Sequence, residues 1–291
     1  MRDYVIMTDS CCDLSDAEVK ECELVVLPLT FTMEGVTRRD TPDHAEMTLE
    51  AFYKRIRAGV ECTTAAVNVG DFADAMRPIV ESGRDVLCIC FSSALSTTYQ
   101  SAVIAAEELK AEYPGAKIVV IDSLSASRGQ GMLVWHAAQE KKKGRSLDEV
   151  EEWVREMVPH QDHWFTVADL GHLRRGGRLN ATSAVVGTVL SIKPVMHCDG
   201  EGKLTPVGKA RGMKQALTEL VNMMGELGTR PLEDQTVFIC HADAPDSVEF
   251  VKGLLKERFG VTDVRADFIG PVIGSHTGAG TLGLFFFGRA R

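Results

Sequence analysis

The sequence lacks any hydrophobic run long enough to cross a bilayer. Its longest nearly apolar stretch, residues 185–196, is broken by Ser191, Lys193 and Pro194 and falls short of the roughly 20 residues a spanning helix needs. It also lacks an excess of positive charge. Against 41 Asp and Glu there are 32 Lys and Arg, a net charge of −9, so nothing attracts nucleic acid or anionic lipid in general and any anion must be bound locally. A secretory leader is not expected, because Met1-Arg2-Asp3-Tyr4-Val5-Ile6-Met7-Thr8-Asp9 reaches acidic residues before a hydrophobic core can form; a cytoplasmic location is the expectation. The eight cysteines have no metal-ligand spacing. Cys11 and Cys12 are adjacent, Cys88 and Cys90 share an apolar strand pattern, and Cys22, Cys62, Cys198 and Cys240 are solitary, which predicts reduced, buried thiols and no metal. No P-loop, His-Glu-x-x-His or Gly-x-Ser-x-Gly occurs. Gly278-Ala279-Gly280-Thr281-Leu282-Gly283 spells a dinucleotide fingerprint, but the eight residues after it cannot complete a βαβ unit. There is no internal repeat and no low-complexity segment.

What is present is a globular composition, 45% apolar and 25% charged over 291 residues, with length for about two domains. Compact apolar runs at 4–7, 86–91 and 117–121 read as strands covered on both faces. Helical patterns lie between and after them at 43–58, started by Thr41-Pro42, at 71–82, at 98–113, stopped by Pro114-Gly115, and at 129–143 and 146–157. The alternation predicts an α/β fold whose N-terminal part is an open parallel sheet with flanking helices. Lys141, Lys142 and Lys143 before Gly144 read as a solvated helix end. Past Pro159 the pattern changes: strand 164–167, a basic glycine turn, a mixed segment 181–196, a turn at 199–202, helix 208–227, strand 236–240, helix 246–259, strand 264–269 and a closing run 282–287. The expected division is therefore an N-terminal α/β domain, 1–160, and a second α/β domain, 161–291.

Three features carry possible chemistry. The predicted strands end in oxygen-bearing residues: Thr8, Asp9 and Ser10; Ser92 and Ser93, with Ser96, Thr97 and Thr98 just beyond; Asp122 and Ser123. In open α/β sheets ligands bind outside the carboxyl ends of the strands, and Thr63 and Thr64 add hydroxyls to the same rim; each of these side chains is equally suited to capping a helix. Leu173-Arg174-Arg175-Gly176-Gly177-Arg178 sets two glycines between cations, a backbone able to turn sharply beside guanidinium forks that suit carboxylate or phosphate. A solvated turn has the same composition. Arg211 reads as the first turn of the helix predicted at 208–227. Finally, His276 sits within a Gly-, Ser- and Thr-rich run, 270–280, read as a flexible turn from which it can donate to an anion or relay a proton. The other seven histidines, His136 among them, read as core or capping residues.

Taken together, Ile6-Met7-Thr8-Asp9-Ser10-Cys11-Cys12-Asp13-Leu14, the run from Ser92 to Ala102, the run from Asp169 to Leu179 and the run from Ile269 to Gly280 resemble the DegV family of bacterial fatty-acid-binding proteins over nearly the whole chain. The resemblance implies a two-domain DegV-like fold holding one long-chain fatty acid between its domains, with no cofactor and no metal, and presenting the acid to a separate kinase that makes the acyl phosphate. By the same resemblance Thr63, Thr64, Ser93, Ser96, His276 and Thr277 are the fatty-acid-binding residues, and Arg178 and Arg211 lie near the mouth and serve the kinase encounter. Thr97 stands where the family has Gly, Thr64-Ala65-Ala66 where it has Ser-Gln-Pro, and Ala279 where it has Pro; none of these removes a hydrogen-bonding group at Thr63, Ser96 or His276. Two other readings of the residues remain open at this point: an acyl-transfer enzyme in which His276 activates Ser96, and a redox sensor at Cys11-Cys12.

Overall fold

The computed structural model describes residues 2–179 and 191–291. Strands β1 (Tyr4–Asp9), β2 (Val25–Leu27), β6 (Asp85–Cys90) and β7 (Ile118–Asp122) form a parallel sheet in the order β2-β1-β6-β7. β1 and β6 are buried at every position, the reason they read as continuous apolar runs instead of alternating ones. Helices α1 (Asp16–Glu21), α3 (Val69–Glu81), α4 (Thr98–Glu112), α5 (Arg128–Lys142) and α6 (Leu147–Met157) accompany this sheet. Because the chain leaves β1 for β2 on one side and β6 for β7 on the other, the order reverses between β1 and β6. A crevice opens at such a point beyond the strands' carboxyl ends.

A second, antiparallel sheet has the order β4-β3-β5, from β3 (Thr30–Met33), β4 (Val36–Arg39) and β5 (Cys62–Ala65). The sequence reading missed it, since its strands are four residues each and partly exposed. Nor does the second helix begin at Thr41-Pro42. Residues 41–47 turn, with Ala45 N–H and the Thr41 hydroxyl donating to Asp43, and α2 (Leu49–Arg57) starts only where the Thr48 side chain caps Ala51 N–H.

The third sheet has six strands in the order β10-β9-β8-β13-β11-β12, built from β8 (Gln161–Thr166), β9 (Ile192–Cys198), β10 (Leu204–Arg211), β11 (Val237–His241), β12 (Val264–Phe268) and β13 (Leu282–Phe287). Helices α8 (Met213–Leu227) and α9 (Pro245–Phe259) pack with each other on one face, over Trp164, Ile239, Leu284 and Phe286. The other face carries His163 and Phe165, Phe238 and Cys240, and Phe285, and joins the core of the parallel sheet. The central helix between the two sheets is α5, where close approach requires glycine. A Cβ on Gly129 would lie 2.8 Å from the Phe285 ring, and one on Gly131 would lie 2.4 Å from the Cys12 carbonyl oxygen. Arg128 at its start is buried and forms a two-pronged ion pair with Glu18 at 2.9 and 2.6 Å.

Two predictions for this half are corrected. Residues 208–211 are the end of β10, not helix; Gly212, at φ +83, makes the break before α8, so Arg211 ends a strand. The Gly-rich run 270–280 is likewise no flexible turn, because Pro271 opens a short helix, α10 (Pro271–Thr277). Of the mixed segment 181–196, the strand Ile192–Cys198 accounts for the last part, and residues 181–190 lie outside the described residues, as does half of the apolar stretch 185–196.

Candidate functional site

The carboxyl ends of β6 and β7, the small sheet, and the loop that follows β8 surround a chamber of about 530 Å³, within the range of small-molecule sites. Its wall is mainly apolar, with Leu29, Phe91, Leu95, Phe165, Leu173 and Val272 among the contributors. A polar wall is made where β5, the short helix α7 (Gly171–Arg175) and α10 meet.

β5 contributes by strand parity. Thr64 stands opposite buried Phe31 and Thr63 opposite Thr32, so the two threonines face opposite sides of the sheet. Thr64 lines the chamber and its hydroxyl lies 2.8 Å from His276 Nε2. Thr63 is exposed and does not line it.

α10 contributes His276 and Thr277. Its start is tied to the N-terminal half of the chain: Gly270 N–H donates to Asp13 (2.9 Å), Val272 N–H donates to Asp40 (3.2 Å), and the Tyr53 hydroxyl donates to the Ile269 carbonyl (2.7 Å). These contacts hold the helix as a fixed mount for the imidazole. Burial, with smaller contributions from Arg178 and His172, lowers the His276 pKa to about 4; the ring is neutral at physiological pH, one nitrogen a donor and the other an acceptor.

α7 and α10 interlock through glycines. The His276 ring lies on Gly176, where a Cβ would come within 2.2 Å of Nδ1, and the His172 ring lies on Gly278, where a Cβ would come within 2.6 Å of Cδ2. Gly176 has an ordinary φ of −72. Its need for glycine is therefore the close approach of the imidazole, whereas Gly177, at φ +69, makes the turn. Arg178 then reaches back, its Nε donating to the Leu95 carbonyl (3.1 Å) and Nη1 to Gly176 (2.5 Å), and ties the basic turn to the Leu95–Ser96 segment.

Of the remaining predicted site residues, Ser96 lines the chamber but already holds the Thr98 N–H (3.2 Å) and shares a hydrogen bond with the Thr98 hydroxyl (2.9 Å). Ser93 is exposed at the rim, its N–H donating to Asp122. Thr277 is buried, its hydroxyl donating to the Ile273 carbonyl (3.1 Å). Arg211 is exposed and lines neither this chamber nor its neighbour.

That neighbour is a cleft of about 640 Å³, to which Thr63, His172, Arg175 and Ser275 contribute and which shares Thr64, Arg178 and His276 with the chamber. These three residues are the partition between an apolar interior and a cleft that carries Arg175 and Glu61. Sequence reasoning had no part for His172 or Arg175 beyond a basic turn, nor for Asp13 and Asp40 beneath α10; the Asp-Ser-Cys-Cys-Asp run and the glycine pairs were the only visible signals. Among the described residues no group of His, Cys, Asp and Glu is arranged to hold a metal ion, and no helix is long and apolar enough to cross a membrane.

Fold and chamber together define the class: a mixed α/β protein with an internal, largely apolar ligand chamber closed by one polar wall. The chain belongs to the DegV family, whose model, described as "Uncharacterised protein, DegV family", matches residues 3–289. It is 42% identical to a DegV domain-containing protein of Clostridium perfringens over 291 residues, covering 100% of this chain and 99% of that one. Among solved structures it is similar to a DegV family protein from Thermus thermophilus described as fatty acid binding, with 31% identity, TM-score 0.87 and coverage of 99% and 100% of the two chains. A Thermotoga maritima protein described as revealing a fatty acid binding function matches with 28% identity, TM-score 0.84 and coverage of 99% and 100%.

Proposed function

We propose that the protein binds one long-chain fatty acid in the chamber, between lobes 1–160 and 161–291, and presents its carboxylate to a separate fatty-acid kinase for acyl-phosphate formation, acting in the cytoplasm as a carrier without catalysis of its own. The observation that carries this reading is the partition of Thr64, Arg178 and His276 between an apolar chamber and a neighbouring cleft. A tail of about 14 methylenes at roughly 0.8 kcal/mol each gains on the order of 11 kcal/mol on leaving water, before association costs of several kcal/mol. The carboxylate needs hydrogen-bond donors to avoid the cost of burial unpaired, and the Thr64 hydroxyl supplies one when it accepts from the Nε2–H of neutral His276 and turns its own hydrogen to the carboxylate. The fatty-acid-binding relatives from Thermus thermophilus and Thermotoga maritima support the ligand class.

An acyl-transfer enzyme using Ser96 and His276 is disfavoured by a specific contact: His276 bonds to Thr64, while Ser96 is engaged by Thr98. Native mass spectrometry of the purified protein tests the leading reading. A retained mass equal to one fatty acid is expected; no retained lipid, together with no binding of added oleate or palmitate, overturns it. The kinase step is tested in a reconstituted assay with Arg211→Ala. Because Arg211 is exposed outside both cavities, the variant is expected to keep its lipid and lose acyl-phosphate formation; normal acyl-phosphate formation refutes that role. Turnover of a chromogenic ester would favour the enzyme instead.

A further inference from the structure

One side chain in the chamber is of a kind that a plain hydrocarbon tail cannot use. His163 lines the chamber and is 5% exposed. It lies on the same face of β8 as Phe165, two residues further from α7, which places it roughly 7 Å deeper than Phe165 at about 3.4 Å per strand residue. Two aromatic rings flank it, Phe285 centred 4.6 Å away and Phe165 5.4 Å away, with Arg291 and His197 near enough to act on its charge. Nδ1 is paired with the Ser125 hydroxyl at 3.2 Å. Nε2 has no hydrogen-bond partner among the described residues and is not one of the unpartnered atoms sealed inside the protein, and the residue that carries it is part of the chamber wall. Burial lowers the His163 pKa to about 3, which leaves a neutral ring whose free nitrogen is either a donor or an acceptor, as the Ser125 hydroxyl dictates.

We propose that the deep end of the chamber recognises an oxygen-bearing acyl chain, a fatty acid with a hydroxyl part-way along its tail, and that His163 is the residue that selects it. The proposal rests on the fatty-acid reading of the chamber. A methylene laid over Nε2 leaves a buried polar atom unpaired, whereas a hydroxyl satisfies either tautomer because it both donates and accepts. Sites built around a hydrogen-bonding group discriminate strongly against analogues that lack its partner, while a purely apolar pocket distinguishes them weakly. An aromatic hydrocarbon at position 163 would continue the Phe165, Phe285 and Phe238 surface with no polar atom to satisfy, so the imidazole is the residue on this face that gives the chamber a directional contact.

Delipidated protein titrated calorimetrically with stearate and with its positional hydroxy isomers tests this. One isomer is expected to bind about tenfold more tightly than stearate, the difference made by one satisfied buried polar atom. His163→Leu should bring that isomer and stearate to within about twofold of each other, and His163→Gln, which keeps a donor and an acceptor, should retain most of the preference. Stearate binding with no isomer preferred by the parent protein overturns the inference and leaves the fatty-acid reading standing. Failure of stearate and every isomer to bind overturns both. If His163→Leu does not fold, the parent's preference and that of His163→Gln still decide.

Discussion

Strand parity in β5 makes the sharpest prediction about the head-group site. Thr64→Val keeps the β-branched shape that a strand favours and removes one hydroxyl; Thr63→Val does the same one residue away, on the other side of the sheet. In the lipid-free protein the Thr64 hydroxyl is held at 2.8 Å by His276 Nε2, and its loss should cost about 0.5–1.5 kcal/mol of stability. With a carboxylate bound, the lost bond is to a charged group and is worth about 1.5–3 kcal/mol; less the bond already missing from the lipid-free variant, affinity should fall by about 1–1.5 kcal/mol, or roughly 5- to 12-fold. Thr63 is exposed and faces Thr32 across the ladder, so its replacement should leave affinity within about twofold, as for an ordinary surface change. Displacement of a fluorescent fatty acid from delipidated protein reads all three affinities, and a thermal melt of each lipid-free variant reads the stability difference. An equal loss in both variants, or a larger loss for Thr63→Val, would refute the placement of the head group at Thr64.

Gly176→Ala should displace His276, because the new Cβ falls 2.2 Å from its Nδ1. At least a tenfold loss of fatty-acid affinity is expected if one charge-directed hydrogen bond is broken, whereas Gly177→Ala, at φ +69 with open space around it, should cost roughly 1 kcal/mol of stability and leave His276 in place; the same displacement assay and melts compare them. Asp13 should give the fold stability that is lost as pH rises from about 4 to about 7. Burial raises Asp13 to about 7, so it keeps a proton in the folded state that the unfolded chain releases near pH 4, while the buried histidines, lowered to about 4 at His136 and His276 and to about 3 at His163, act in the opposite sense up to about pH 7 because only the unfolded chain protonates them. Thermal melts of the parent and Asp13→Asn between about pH 4.5 and 8 isolate this carboxyl: the stability of the parent relative to the variant should fall from about pH 4.5 to 7 and level off above, and a constant difference would show that Asp13 is already ionised in the fold. Arg178→Ala, which loses the contact with the Leu95 carbonyl at 3.1 Å, should loosen the chamber mouth and raise the rate of lipid release in stopped-flow displacement, and an unchanged rate would make Arg178 a bystander to retention.

The parts of this architecture that were legible from the amino acids are those where one physical demand dominates. β1, β6 and β7 are covered on both faces, so their apolar runs stand out; of the hydroxyls and carboxylates expected to form a rim at their ends, Ser93, Ser96 and Thr97 after β6 line the chamber, whereas Thr8, Asp9, Ser10, Asp122 and Ser123 do not. The small sheet was illegible for the converse reason: Thr30–Met33 and Val36–Arg39 mix threonine and arginine with hydrophobics in four-residue strands, a pattern shared with any surface loop. That omission decided the one site residue that parity distinguishes. Without β3 as a partner for β5, nothing in Thr63-Thr64 says which threonine faces inward; the register that sets Thr64 beside Phe31 does. The glycines mislead in the same way. Those of the Gly-Gly-Arg turn and of the 270–280 run suggested backbone freedom, which Gly278 does use at φ +76, yet Gly176 and Gly278 each also lie beneath a histidine ring supplied by the other segment. A glycine kept for space cannot be told from one kept for conformation until the side chain that fills the space is known. Here that side chain comes from about a hundred residues away in sequence, which is why the mount for His276 emerges only once α7 and α10 are seen packed together.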